Sequence, residues 1–265
     1  VDRDSRDRTD DFVVSNDFVV KVATVNGTGS ASANGMLMQA IFRMGIPVSG
    51  KNVFPSNIQG LPTWYEIRVN KHGHLARNPD VDLMVAMNPK TYAQDIAEVR
   101  PGAAILYDSS WPLDEELFRV DVLFFGIPLS HMCVENFKGD RERILMKNIA
   151  YVGAVAALLS IDLEVIEGML EEKFSAKQHL MDSNNVAIRL GYDYATEHFD
   201  CLLPIRLEAM DANRDSVLMT GNMAAALGCV YAGATVGAWY PITPATSVMD
   251  SFRSFCEGLR KDPET

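Results

Sequence analysis

Residues Phe18–Val25 (FVVKVATV) form an apolar, β-branched run that leads straight into a glycine-rich decapeptide, Asn26–Gly35 (NGTGSASANG). Apolar residues at helical spacing follow: Met36, Leu37, Ala40, Ile41 and Met44. A buried strand, a tight turn and a helix in that order leave few architectures open. Further strands are expected at Tyr65–Val69, Leu83–Met87, Ala104–Tyr107 and Val122–Phe125, with a helix near Tyr92–Val99 between two of them. Such alternation predicts an α/β fold whose sheet is mostly parallel and flanked by helices.

From Gly139 the pattern turns helical. Helices are expected at Arg141–Leu159, at Leu163–Phe174 with Asp162 as N-cap, and at Ala176–His198, where Leu180, Ala187, Leu190 and Tyr194 share a face. The chain then divides, on this reading, into a flexible mixed-charge leader (1–17), one full domain (18–200), a linker or crossing segment (201–214) and the start of a second α/β unit (215–265). The second unit is expected to hold a helix at Gly221–Ala232, a strand at Thr235–Tyr240 and a helix at Ser247–Leu259. One strand and two helices cannot bury the face of a parallel sheet. The expectation is that other chains supply the rest or that these 265 residues are the front part of a longer polypeptide.

Charge and cysteine spacing narrow the function. A net charge of −11 argues against a nucleic-acid surface and for a soluble cytoplasmic protein. Cys133, Cys201, Cys229 and Cys256 lie 68, 28 and 27 residues apart, without the short spacings that hold zinc or an iron–sulfur cluster. The leader lacks the apolar core of a signal peptide. Ser216–Met249 is a run of 34 residues without a charged side chain. It is rich in Ala and Gly, carries Asn222 and ends in the helix-breaking Pro241-Ile242-Thr243-Pro244, so it is read as an element buried within an assembly, not as a membrane span.

The loop Gly27-Thr28-Gly29-Ser30-Ala31-Ser32 has the outline of a dinucleotide fingerprint with Ser32 in place of its third glycine. Between Asp17 and Glu66 there is no acidic residue to hold a ribose, which counts against a nicotinamide cofactor. Phosphate or other anion binding and a purely structural tight turn both stay open. Gly45–Asn52 nearly spells a Walker A loop, but Asn52 replaces the magnesium-binding hydroxyl and the segment follows a helix. His72-x-His74 reads as an exposed turn around Gly73 more readily than as a metal site. The loop Phe54–Trp64 carries Ser56, Asn57, Gln59 and Gly60, polar groups suited either to a connection or to a ligand. Tyr240-Pro241-Ile242-Thr243-Pro244 is a turn stiffened by two prolines at the expected C-terminal end of a strand, where ligands gather in open α/β sheets.

These strings together resemble one family. Tyr240-Pro241-Ile242-Thr243-Pro244, preceded by Gly221–Gly228 (GNMAAALG), looks like the start of the pyrimidine-binding domain of thiamine-diphosphate-dependent 2-oxoacid:ferredoxin oxidoreductases. Asn26–Gly29 and Ser56–Tyr65 resemble that family's gamma domain, and gamma ahead of alpha is the order of the alpha subunit in two-subunit enzymes of the 2-oxoglutarate synthase type. The resemblance implies oxidative decarboxylation of a 2-oxoacid with coenzyme A, giving an acyl-CoA, carbon dioxide and reduced ferredoxin. It implies that Tyr240–Pro244 lies over the substrate, with Thr243 as its hydrogen-bonding group. It places Gly27, Thr28, Gly29, Ser30, Ser56, Asn57, Gln59 and Gly60 on the coenzyme A side. Thiamine diphosphate, Mg2+ and a [4Fe-4S] cluster are implied to be held mainly by a beta subunit, in a dimer of alpha–beta heterodimers. The activating glutamate of the family lies beyond Thr265, so no catalytic residue is assigned here. Two alternatives are a non-catalytic coenzyme A or nucleotide-binding adaptor and, less favoured, a nicotinamide dehydrogenase.

Overall fold

The computed structural model describes residues 13–53, 58–200, 203–242 and 245–261, in two compact units, Val1–Arg214 and Asp215–Thr265. The first unit is built on a six-stranded sheet. In chain order its elements are β1 (Val14–Ser15), β2 (Asp17–Val25), α1 (Ser30–Arg43), β3 (Val48–Val53), β4 (Pro62–Asn70), β5 (Val81–Ala86), α2 (Tyr92–Glu98), β6 (Val99–Asp108) and β7 (Leu123–Ile127). Helices α3 (Leu129–Asn136), α4 (Asp140–Leu159), α5 (Leu163–Phe174) and α6 (Gln178–His198) follow, then β8 (Ile205–Arg206). The strand order is β3-β4-β2-β5-β6-β7, parallel from β2 through β7 and antiparallel where β4 joins β2 and β3.

Strand β2 is central and buried on both faces, as a strand covered by helices on both sides must be, with Lys21 the one charged side chain among its buried residues. Val20 and Val22 meet α1 and the later helices in one core cluster; Ala23 belongs to a second cluster on the α2 side. The Walker-like stretch is not a loop: Val48–Val53 is the edge strand β3, and its Asn52 accepts a hydrogen bond from the Thr63 hydroxyl (3.2 Å). The His-x-His stretch turns at Gly73, and the backbone N–H groups of His72 and His74 both donate to Asn70 Oδ1 (3.0 Å each).

Helix α5 begins where its capping residue predicts, with the Asp162 carboxylate accepting from the Glu164 N–H (3.0 Å). The face expected for α6 is different in the fold. Asn184, Ala187, Ile188, Gly191 and Ala195 are buried, whereas Leu180 is exposed. Close approach to α4 selects small residues over large apolar ones: a Cβ at Gly191 would stand 1.8 Å from the Ala150 carbonyl oxygen, and one at Gly153 would stand 1.9 Å from that of Ile188.

Residues 203–214, read from the sequence as a linker or crossing segment, run back along the first unit. Leu203, Ile205 and Leu207 are buried, β8 pairs in parallel with β1, and the Asn213 amide donates to the carbonyls of Phe42 and Ile46 (2.9 and 2.8 Å). The end of the expected leader is held by the same pairing, with Asn16 at φ 54° exchanging hydrogen bonds with the Glu208 backbone.

The second unit contains α7 (Gly221–Tyr231), capped by the Thr220 hydroxyl, and α8 (Thr246–Leu259), packed against it. The strand expected at Thr235–Tyr240 is absent: the segment is irregular and exposed. A strand needs a neighbour for its N–H and C=O groups, and no described segment pairs with it. The uncharged run is likewise not buried within the described chain, with Val217, Tyr231, Val236 and Tyr240 at 77%, 80%, 84% and 79% exposure.

On the α2 face, Asp95 is fully buried, accepting from the Trp64 indole (2.8 Å) and the Thr91 hydroxyl (2.6 Å). Burial pushes its carboxyl up to about 6, against the lowering effect of those two bonds. A carboxyl raised by folding binds its proton more tightly in the native state, so its contribution is complete below the ordinary carboxylate value and is lost as pH rises to about 6. Unfolding titrations should therefore show stability falling by roughly 2–3 kcal/mol between pH 4 and 6.5, relative to Asp95→Asn. A parallel pair of profiles would refute this. Gly191→Ala should cost about 3 kcal/mol or more, since backbone on both sides must part, and lower the thermal midpoint by roughly 6–12 °C. A midpoint within 2 °C of the parent would contradict the close α4–α6 approach.

Candidate functional site

The parallel strands β2, β5, β6 and β7 end on one edge of the sheet, and the first helices leave β2 and β5 for opposite faces. That divergence is the switch point where open α/β sheets open a crevice. The glycine loop stands there. Gly27 and Gly29 hold φ of 83° and 85°, a left-handed conformation that costs an L side chain about 1–2 kcal/mol. Space is equally tight: a Cβ at Gly27 would come within 2.6 Å of the Gln59 side chain, and one at Gly29 within 2.5 Å of Leu145 on α4. Thr28 turns its hydroxyl back to the Val25 carbonyl (2.7 Å), and the Asn148 amide of α4 donates to the Thr28 carbonyl (2.8 Å).

The fold joins this loop to the second segment singled out by sequence. Asn26 and Gly60 are linked backbone to backbone (2.9 Å), Asn26 N–H donates to Leu61 O (2.8 Å), and the Asn26 side chain donates to Ile58 O (3.1 Å). Gln59 and Gly60 therefore lie on Gly27; Ser56 and Asn57 fall outside the described residues. Tyr240, Pro241 and Ile242 belong to the second unit, exposed, with the Ile242 N–H bonded to the Tyr240 carbonyl (2.8 Å). Thr243 and Pro244 fall outside the described residues.

Beside the loop is a cavity of about 200 Å³. Gly27, Gly29, Ser30 and Ala31 form one side of it. Asn26, Asn34, Asn52, Thr63 and Trp64 complete it. Its lining is neutral and rich in hydrogen-bonding groups, and helix α1 opens onto it without a side-chain cap or an acidic residue in its first turn. The positive end of the helix dipole would favour an anion there, although the Ser32 N–H is already engaged by the Gly29 carbonyl (3.2 Å). Ser30 is held from behind by the Thr24 hydroxyl (2.9 Å). Asn34, Asn52 and Thr63 were not among the residues expected in a site. Asn34 is the one a sequence could have flagged, as an amide on the buried side of an otherwise apolar helix.

A second polar group lies at the ends of β6 and β7. Asp108, fully buried, accepts from the Ser110 and Ser130 N–H groups (3.2 Å each) and the Ser130 hydroxyl (2.5 Å), with Lys147 Nζ at 3.5 Å. Every one of these donors ties a loop or helix to the strand end, and Lys147 is the neighbour of Asn148. The group therefore buckles α4 to the same edge that carries the glycine loop. Nearby Cys133 is buried and its thiol is pushed up to about 11 by desolvation, which keeps it protonated and unreactive at neutral pH. Among the described residues no cluster of three His, Cys, Asp or Glu could hold a metal ion, and no helix is long and apolar enough to cross a membrane.

An α/β unit with a polar cavity at its switch point is a widespread class; comparison narrows it. Residues 19–194 match the family profile of pyruvate ferredoxin/flavodoxin oxidoreductase, and the chain belongs to that family. It is 24% identical over 260 residues to the alpha subunit of 2-oxoacid:ferredoxin oxidoreductase 2 from Aeropyrum pernix, covering 83% of this chain and 40% of the relative. It is 24% identical over 211 residues to the 2-oxoglutarate oxidoreductase subunit KorA of Mycobacterium tuberculosis, covering 70% and 32%. The chain thus spans less than half the length of these relatives. Among solved structures it resembles a 2-oxoglutarate:ferredoxin oxidoreductase from Magnetococcus marinus with 2-oxoglutarate, coenzyme A and succinyl-CoA bound, at a TM-score of 0.80 and 26% identity over 93% of this chain and 42% of that one. The pyruvate oxidoreductase subunit PORC of Thermotoga maritima shares the fold at a TM-score of 0.55 and 20% identity, covering 67% of this chain and 96% of that one.

Gly29→Ala should destabilise the first unit by about 1–2 kcal/mol in urea unfolding, from the left-handed backbone alone. Gly35→Ala, where the added Cβ meets nothing within 4 Å in a helix, should be neutral or stabilising. Equal effects of the two would remove the special role of the loop.

Proposed function

We propose that this chain is part of the alpha subunit of a 2-oxoacid:ferredoxin oxidoreductase. The reaction is 2-oxoglutarate plus coenzyme A and two oxidised ferredoxins to succinyl-CoA, carbon dioxide, a proton and two reduced ferredoxins. The observation that carries this reading is the likeness, over 93% of the chain, to an enzyme holding 2-oxoglutarate, coenzyme A and succinyl-CoA. The KorA relative supports the same substrate.

In this reading the first unit is the gamma domain and supplies the coenzyme A side. Gly27, Thr28, Gly29 and Ser30 receive an anionic group, with Gln59 and Gly60 packed against them and Ser56 and Asn57 from the same loop. The second unit begins the pyrimidine-binding domain, and Tyr240–Pro244 lies over the substrate with Thr243 as a hydrogen-bonding group. Thiamine diphosphate supplies the decarboxylation chemistry when bound. Mg2+ and the [4Fe-4S] cluster are assigned in this reading to a beta subunit, and no step is drawn through them here. The exposed apolar side chains of the second unit, Val217, Tyr231, Val236 and Tyr240, support burial against the remainder of the alpha subunit and that partner. The assembly proposed is a cytoplasmic dimer of alpha–beta heterodimers that passes electrons to ferredoxin.

The test uses the complete alpha subunit co-purified with its partner. With thiamine diphosphate, Mg2+ and coenzyme A, 2-oxoglutarate should reduce ferredoxin or methyl viologen and yield succinyl-CoA by mass spectrometry. Turnover should be about tenfold or more above that with pyruvate, because a second carboxylate is read by charged hydrogen bonds that pyruvate leaves unpaired. No acceptor reduction with any 2-oxoacid would overturn the enzymatic reading, and coenzyme A binding alone would favour an adaptor.

A further inference from the structure

Gly29 stands at the N-cap of α1 with φ 85° and ψ 2°. Most N-caps are extended; these values are instead those of the third residue of a type II turn, a position that glycine fills. A type I turn differs from it by a half-rotation of the peptide just before that residue, here Thr28–Gly29. Local sequence therefore leaves two orientations open to one peptide. In one, its N–H faces the cavity beside the loop; in the other, its carbonyl does. An N–H in that place donates to an oxygen-rich ligand, whereas a carbonyl would turn a lone pair against it.

The fold chooses between them from outside the loop. Asn148 of α4 is 4% exposed, and its Nδ2 donates to the Thr28 carbonyl (2.8 Å) across 120 residues of chain. The C=O and N–H of a trans peptide point in opposite directions, so holding the carbonyl against α4 turns the Gly29 N–H away from that helix. The cavity lining agrees: Gly27, Gly29 and Ser30 border it, and Thr28 is not among the bordering residues. Among the described residues nothing accepts from the Gly29 N–H, while the Ser32 N–H is spent on the Gly29 carbonyl (3.2 Å). We propose that Asn148 is a positioning residue: it selects the orientation of the Thr28–Gly29 peptide and so keeps the Gly29 N–H turned into the cavity as a donor to the ligand. This deepens the coenzyme A-side reading and rests on it for the identity of the ligand; the peptide orientation does not.

The experiment follows the Gly29 amide of the 265-residue chain by nitrogen–proton NMR, and coenzyme A affinity by calorimetry, in the parent protein, Asn148→Asp and Asn148→Leu. Circular dichroism checks that both variants fold. Asn148→Asp replaces the donor with an acceptor of the same shape, which favours the flipped peptide with its N–H on the carboxylate. The Gly29 proton resonance should then move downfield, as a charge-assisted hydrogen bond requires, and coenzyme A affinity should fall about tenfold or more. Asn148→Leu removes the bond without adding charge, so both orientations are populated; affinity should fall about threefold, which separates peptide orientation from charge repulsion. Lower thermal stability with the Gly29 resonance at its parent position in both folded variants means a merely structural role and overturns the proposal. So does a moved resonance with parent-like coenzyme A affinity. If the parent binds no coenzyme A, the coenzyme A reading fails by itself; a downfield Gly29 resonance in Asn148→Asp then still supports the selected orientation, and an unmoved one overturns it.

Discussion

Helix α4 runs through the first unit with its residues from Met146 to Leu159 almost wholly buried, and the glycines at 153 and 191 let its backbone touch that of α6. Four residues near its middle reach toward the sheet edge and the glycine loop, each with a different role. Leu145 fills the space behind Gly29, Lys147 pairs with Asp108, Asn148 holds the Thr28 carbonyl, and Tyr151 bonds Asn34. The close α4–α6 contact sets the depth at which these side chains arrive. If the two helices stood further apart, the glycine loop would lose the carbonyl bond from Asn148 and the packing from Leu145 together.

That dependence gives the site a particular character. The loop is not a flexible flap: its backbone is pinned from below by Asn148, from the side by the Asn26–Gly60 and Asn26–Leu61 bonds, and sterically by Gln59 and Leu145. Groups locked in this way pay little ordering entropy when a ligand arrives. The cavity also lacks lysine and arginine in its lining, so its polar character comes from amide, hydroxyl and backbone groups and from the helix dipole.

Much of this was legible before folding. The β2–loop–α1 unit, the later strands and the capped helix α5 are each written in local patterns: β-branched runs, glycines where φ must be positive, apolar residues at helical spacing, and a carboxylate one residue before a helix. The glycine loop and the Gln59–Gly60 segment were both visible as unusual, though nothing local says they touch. Edge strand β3 was hidden because Val48–Val53 carries Ser, Gly, Lys and Asn, and its pairing with β4, not its composition, makes it a strand. Thr235–Tyr240 errs the other way: its composition suits a strand, and no described neighbour supplies the ladder.

The sequence by itself determined the class of fold, the family strings, and the glycine positions where an L side chain is excluded, because these depend on sterics within a few residues. Tertiary structure decided which polar residues matter. Asn34 on α1, Asn52 on β3, and Asn148 and Tyr151 on α4 come from three elements; the bonded pairs Asn34–Tyr151 and Thr28–Asn148 are 117 and 120 residues apart, and each residue is ordinary in its own neighbourhood. Only when α4 is packed against α1 do the Asn34 amide and the Tyr151 hydroxyl meet in the core. Burial and pairing are properties of distant neighbours, which no local pattern encodes.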